Sequence, residues 1–291
     1  MKSESRRFRA VDILYILMMI LPLVFCIVLK VLTKPLSEGI DISGALVYFT
    51  IKMPIQDLPV TESQVNSLMV IISILGLCLY LTHGMGKGQL KMRHHIAEFL
   101  VEKADGLVKS NMDEHFRNFG PFITAILALS AFSSLISLLG LYPPTSDVNI
   151  VGGWAIVVFV LITYYKAICG PVQYIKSFCD PVLLAPLNII SEVATPISMA
   201  FRHYGNVLSG AVISVLVATG LQGLSKMIFS FLPGFLGNIP FLQIGLPAIL
   251  SIYFDVFSGL LQAYIFAMLT MLYISGGFPA ELFNKKKIKK I

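Results

Sequence analysis

A few ionisable and amide side chains stand in stretches that are otherwise too apolar to hold them. Arg202 lies in TPISMAFRHYGNVLSGAVI, with no other Lys or Arg before Lys226. An arginine at the centre of a membrane helix costs about 2.5–3.5 kcal/mol on insertion scales, so it should face protein or a water-filled cavity. Thr195, Ser198, Arg202, Asn206 and Ser209 recur at spacings of three or four, which draws one polar stripe along a helix. Gly205 and Gly210 lie near that stripe and allow another helix to approach closely. Further on, Asp255, Gly259, Gln262 and Phe266 follow the same helical spacing and put a carboxylate and an amide on one face. Glu192 precedes Arg202 by ten residues, roughly 15 Å at the α-helical rise. The chemistry such a set suits is cation exchange. Carboxylates on either side of a fixed guanidinium serve two offset aqueous half-channels kept apart by positive charge. The plainer alternatives are an arginine that snorkels to an interface and an Asp–Gln pair that only hydrogen-bonds.

These residues need a membrane around them, and the composition supplies the argument. Hydrophobic residues are 56% of the 291 and charged residues 13%, against about 45–50% and about 25% in soluble domains. Mean hydropathy is +0.81. So few charges cannot cover a water-facing surface, and in lipid only helices or closed barrels satisfy their own backbone. The apolar segments are long runs rather than alternating ten-residue strands, which selects helices. The net charge of +6 is grouped beside the apolar runs, a pattern of membrane orientation rather than of nucleic-acid binding. No glycine-rich phosphate loop, zinc spacing or nucleophile triad appears, so no catalytic centre, cofactor or metal is expected. Cys26, Cys78, Cys169 and Cys179 have no paired spacing.

About 20 apolar residues cross a bilayer. The sequence predicts spans at 11–32, 67–84, 121–141 and 151–169, then two longer segments at 182–223 and 247–275. The expected fold is an all-α integral membrane protein with about six crossings, the last two long and strongly tilted as a hairpin. Arg6, Arg7 and Arg9 followed by an apolar run resemble a signal peptide, but the run is too long for one and is read as a retained helix. With six crossings, the basic N-terminus, the stretch 85–119, the linker with Lys166 and Lys176, and the tail Lys285–Lys290 all fall on one side. Both termini are then cytoplasmic. Residues 89–110 read as an amphipathic helix with Ile96, Phe99, Leu100, Lys103 and Leu107 on one stripe, lying on the cytoplasmic face or else solvated.

Three motifs, in order, carry a resemblance: LLGLYPPTSDVNIV, PISMAFRHYGNVLSG and DVFSGLLQAYIFAMLTMLYIS. Together they resemble subunit a of the bacterial F-type ATP synthase membrane sector over roughly residues 67–280. Residues 1–66, an extra helix and an outer loop, fall outside that core. The resemblance implies a non-catalytic, ion-translocating stator subunit of the cell inner (plasma) membrane, with protons rather than sodium ions the expected cargo though the residues of this chain do not choose between them. Its implied partners are a ring of small hairpin subunits (the c-ring), peripheral stalk subunit b and, indirectly, the catalytic head. It gives Arg202 the place of the essential stator arginine, Gln262 the glutamine near it, and Asn206 the polar residue one turn on. Asp255 takes the place of an outer-channel His or Glu, and Asp147 that of an acidic residue near the outer mouth. Glu192 corresponds to an inner acidic residue about one turn further from the arginine in many relatives. Ala211 stands where many members have a carboxylate or His, and His203 replaces a Leu. His203 reads either as a titrating channel group or as an interfacial histidine. The competing function is an independent secondary transporter or ion channel, in which Arg202 would bind an anionic substrate; the chain lacks the matching broken helices of repeat halves.

Overall fold

The computed structural model describes residues 2–33, 44–54, 56–85, 91–112, 114–168, 171–178, 182–229, 242, 245–276 and 278. The tail Lys285–Lys290, Cys169, Cys179 and most of the 224–246 connection, expected to cap the outer surface, lie outside these residues.

Helix α1 (Lys2–Thr33) carries Pro22 within it. A short antiparallel hairpin follows, β1 (Val47–Ile51) paired with β2 (Leu58–Thr61). Then come α2 (Glu62–Thr82), α3 (Met92–Asn111) and α4 (Gly120–Leu135), the last drawn out by a 3-10 turn at Ile136–Leu139. Helices α5 (Val148–Ile168), α6 (Pro171–Phe178) and α7 (Ala185–Phe229) follow. The last span is built from α8 (Leu246–Ser251), a π-turn at Ile252–Ser258 and α9 (Gly259–Gly276). Six of these helical segments are long and apolar enough to cross a bilayer. The expected spans are therefore present, with two differences of register. α2 starts at Glu62 because Thr61 opens it, its N–H donating to Gln64 Oε1 at 3.4 Å. The stretch read as an outer loop also contains the β-hairpin.

Local chemistry sets the other ends. Pro121 sits in the first turn of α4, where its missing N–H costs nothing. Gly140, at φ +72°, closes the 3-10 extension in a conformation that glycine adopts freely. α7 has 45 residues, about 68 Å at the helical rise. That is roughly twice a hydrocarbon core, so a span of this length must tilt strongly.

The closest helix pairings are α1 with α2, α4 with α9, and α5 with α7. The main core joins Val108 of α3, Ile123 of α4, Val158 and Ile162 of α5, Met199 of α7 and Phe266 of α9. A smaller one holds Cys26, Val70, Ile136 and Leu141 between α1, α2 and the end of α4. The outward faces are rich in large exposed apolar side chains, as lipid contact requires. On α3, Ile96, Phe99 and Leu100 are exposed as the amphipathic pattern predicts, while Leu107 packs against the core.

Polar and close backbone contacts tie α1 to the bundle. At one end Asp12 of α1 takes His83 Nδ1 and Arg93 NH1, each at 2.8 Å, and Arg93 also donates to the His83 carbonyl at 2.7 Å. This ties α1 to the junction of α2 and α3. Midway, Gly76 lets α1 press on α2: a Cβ there would lie 2.8 Å from the Met19 backbone nitrogen. Backbone cannot yield as a side-chain tip can. We expect Gly76→Leu to force α1 away at a cost of roughly 1–3 kcal/mol. In detergent, buried Cys26 should then become as reactive to a membrane-permeant maleimide as exposed Cys78 already is. Continued protection of Cys26 would contradict this packing.

Candidate functional site

α7 turns two unlike faces outward and inward. Met199, Ala200, His203 and Gly210 are buried, whereas Ser198, Arg202 and Ser209 are exposed and Thr195 and Asn206 lie between. The polar stripe read from the spacing therefore runs along the outer side of the helix. Among the described residues Arg202 forms no ion pair. Nothing lies within 4 Å of a Cβ placed at Gly205, so the groove beside the guanidinium is open. Gly210 behaves differently: its Cβ would meet the Phe254 ring at 2.9 Å, which marks the close approach of the last span.

His203, one residue on, points the other way. It is fully buried, its Nε2 lies 3.3 Å from Ser130 Oγ, and its ring packs edge-on to Trp154 and Phe266. Its Nδ1 has no hydrogen-bond partner among the described residues.

The last span brings one predicted residue to α7 and separates others. Asn206 donates to Ser258 Oγ at 2.8 Å. Ser258 escaped the sequence reading, although it sits between Asp255 and Gln262; a lone serine in an apolar run carries no signal of its own. Asp255 lies in the π-turn and accepts a hydrogen bond from Ser251, one turn earlier. A π-turn closes i→i+5 hydrogen bonds and re-phases the helix. The shared face expected for Asp255, Gly259, Gln262 and Phe266 therefore holds within α9 only. Gly259, Gln262 and Phe266 are buried there, Gly259 tightly against Ser134 of α4. Among the described residues no hydrogen bond joins Gln262, or Asp255, to Arg202.

Glu192 is set apart from Arg202, towards the start of α7. Lys166 Nζ donates to both its carboxylate oxygens at 2.8 Å, and Tyr174 of α6 donates to Oε1 at 3.1 Å. Burial and the nearby Glu192 raise the Tyr174 phenol above its ordinary range, so it remains a donor. A cavity of about 250 Å³ opens here, lined by Lys166, Glu192, Thr195, Leu272 and Tyr273. In the sequence Lys166 bears only on orientation; its pairing with Glu192 is visible only once α5 and α7 are paired.

Asp147 lies at the opposite end of α5. It caps that helix, accepting the Asn149 N–H at 2.9 Å, and takes the hydroxyl hydrogen bond of Ser63 from α2. Beside it, Glu62 is 2% exposed, pairs with Lys30 of α1 at 3.1 Å and accepts the Tyr142 N–H at 3.2 Å. Asn66 holds the Tyr142 carbonyl at 2.8 Å. Thr145 and Ser146 of the connecting turn and Ser133 and Ser134 of α4 are buried with hydroxyls that no group among the described residues satisfies. Ser134 in turn packs against Gly259 of the last span. Glu62 carries no signal in the sequence, where the segment before residue 67 reads as loop.

Tyr48 of β1 reports on this cluster. Burial, then the Glu62 charge, push its phenol up to about 12. An unfolded tyrosine titrates near about 10. The neutral phenol thus adds stability that is complete below about 10 and lost as pH rises through about 12. Difference titration of phenolate absorbance against Tyr48→Phe should give a midpoint near about 12, lowered by Glu62→Gln. An ordinary midpoint, unmoved by Glu62→Gln, would show that Tyr48 does not face this carboxylate.

Comparison with known proteins places this arrangement. A family model described as "ATP synthase A chain" matches residues 65–275. ATP synthase subunit a of Legionella pneumophila is 28% identical over 241 residues, covering 82% of this chain and 94% of that protein. ATP synthase subunit a of Priestia megaterium is 32% identical over 239 residues, with 76% and 94% covered. That of Alkalihalophilus pseudofirmus is 30% identical over 230 residues, with 72% and 90% covered. A chain with these helices, matched over most of its length, belongs to the ATP synthase subunit a family and is a multi-pass membrane subunit of that complex.

Proposed function

We propose that this subunit is the ion-translocating stator of an F-type ATP synthase, carrying protons through two half-channels that Arg202 keeps apart. One observation carries the reading: a guanidinium within a membrane-spanning helix, exposed on its outer face and without an ion pair among the described residues. Such a charge is too costly to leave against lipid. It calls for an acidic partner on another chain, and a ring of small hairpin subunits with membrane carboxylates fits that demand.

In this reading the Glu62–Asp147 cluster and the buried hydroxyls form the outer half-channel, with Asp255 near its inner limit. The Lys166–Glu192–Tyr174 site forms the inner one. A ring carboxylate takes a proton from one and releases it to the other. While ionised it passes Arg202, which favours the charged form and blocks direct leakage. Asn206, held by Ser258, and Gln262 line the approach, and His203 fixes α7 against α4 and α5 from behind. One charge crossing 100 mV releases about 2.3 kcal/mol, so several passages must sum to drive one synthesis event. Catalysis belongs to a separate head, and stalk subunit b holds the subunit against rotation. The setting is the cell inner membrane with both termini cytoplasmic, which places Asp12, Lys166 and Glu192 on the inner side.

Arg202→Ala should abolish proton-driven ATP synthesis in proteoliposomes carrying the whole complex, while ATP hydrolysis by the detached head persists. Full coupled synthesis in that variant would refute the mechanism. Asp255→Asn should slow synthesis by a smaller factor; a rate equal to the parent's would remove Asp255 from the pathway.

A further inference from the structure

Helix α1 lies outside the residues that the family model matches, yet it enters the cluster at the Asp147 end. Lys30, near its last turn, places Nζ 3.1 Å from Glu62 Oε1. The lysine is 26% exposed and the carboxylate 2%, so the cation reaches inward from the rim to a buried anion. Glu62 Oε1 also accepts the Tyr142 N–H, and Ser63 beside it donates to Asp147. The carboxylate is therefore joined at once to α1, to the turn before α5 and to the second acid.

The other titratable groups around it do not replace the lysine. Cys26 comes from α1, Tyr48 from β1, and Tyr142, Asp147 and Tyr204 from the turn and α7. All are neutral or acidic, and burial holds the Tyr48 and Tyr142 phenols protonated. Among the described residues Lys30 is the one ion-pair partner of Glu62. A buried charge that loses such a partner is left uncompensated.

We propose that Lys30 is a positioning residue for ion entry: it holds Glu62 at the outer mouth, so that the N-terminal helix is a working part of the pathway. This rests on the outer half-channel reading given above. The two anchors of α1 divide the labour. Asp12, with His83 and Arg93, fixes one end of the helix, and Gly76 fixes its middle. The Lys30 end is thereby aimed at Glu62.

The test uses the whole complex in proteoliposomes, with ring copurification as the check of assembly and the pH on each side varied separately. Lys30→Met should lower proton-driven synthesis several-fold. It should change the dependence of rate on outer pH and leave the dependence on inner pH as in the parent. Lys30→Arg should restore both rate and profile. If Lys30→Met fails to assemble, the double variant Lys30→Met/Glu62→Gln removes the stranded charge and should show the same one-sided change. Parental rates and outer-pH profile in the assembled variants overturn the proposal, and so does an equal change on both sides, which marks a merely structural role. Arg202→Ala in the same preparation separates the layers. If it retains synthesis, the channel reading itself fails; if it is inactive while the Lys30 variants behave as the parent, only the role of Lys30 fails.

Discussion

A charge that lipid cannot solvate governs this molecule. Arg202 sits within a membrane span and presents its guanidinium outward, and within this chain no anion meets it among the described residues. The rest of the bundle can be understood as the support for that one exposed charge. α7 is held from behind by His203 against Ser130, Trp154 and Phe266, and by Gly210 against Phe254. These contacts are tight and mostly apolar, so the stripe carrying Arg202 and Asn206 cannot rotate inward to hide. Membrane helices gain little from hydrophobic association, since lipid tails are as apolar as leucine. Close approach at small residues does that work instead, at Gly76, Gly210 and Gly259.

The acidic groups obey a complementary rule. Five of them among the described residues are compensated locally. Glu192 has Lys166 and Tyr174; Glu62 has Lys30 and the Tyr142 N–H; Asp12 has His83 and Arg93. Asp147 and Asp255 rely on hydroxyls, and Asp147 also on the first turn of α5. The uncompensated cation and the compensated anions are not symmetrical in consequence. A carboxylate with a partner can stay in place while protons move past it. A guanidinium without one calls for an anion from elsewhere, and in the proposed function a neighbouring chain supplies it.

Much of this was legible in the sequence. Apolar run length gave the six spans, because a bilayer imposes one length on every crossing. The spacing of Thr195, Ser198, Arg202, Asn206 and Ser209 gave the stripe, because α7 is regular there. Where the helix is not regular, the arithmetic failed. IYFDVFS contains no glycine or proline to announce a π-turn, and the turn shifts Asp255 off the face of Gln262. Pairs across distant elements were also hidden. Lys166 and Glu192 are 26 residues apart, and nothing in either segment names the other. The same holds for Lys30 and Glu62, whose meeting depends on how α1 leans on α2 at Gly76.

The two charged sites lie at opposite ends of α5, since Asp147 caps its start and Lys166 ends it. A helix of 21 residues separates them by about 30 Å, the thickness of a hydrocarbon core. No described ion pair bridges that gap. Buried hydroxyls of Thr145, Ser146, Ser133 and Ser134 stand in the turn before α5 and near the end of α4, Ser134 against Gly259, and the Glu192 cavity opens beside Lys166. Within α9, Phe266, Met271 and Ile274 are packed into the core, each at most 1% exposed. A continuous aqueous route through such a wall would have to displace packed apolar side chains. The proposed mechanism answers this by taking the ion around the bundle, along the face where Arg202 stands, on a carboxylate of a neighbouring chain.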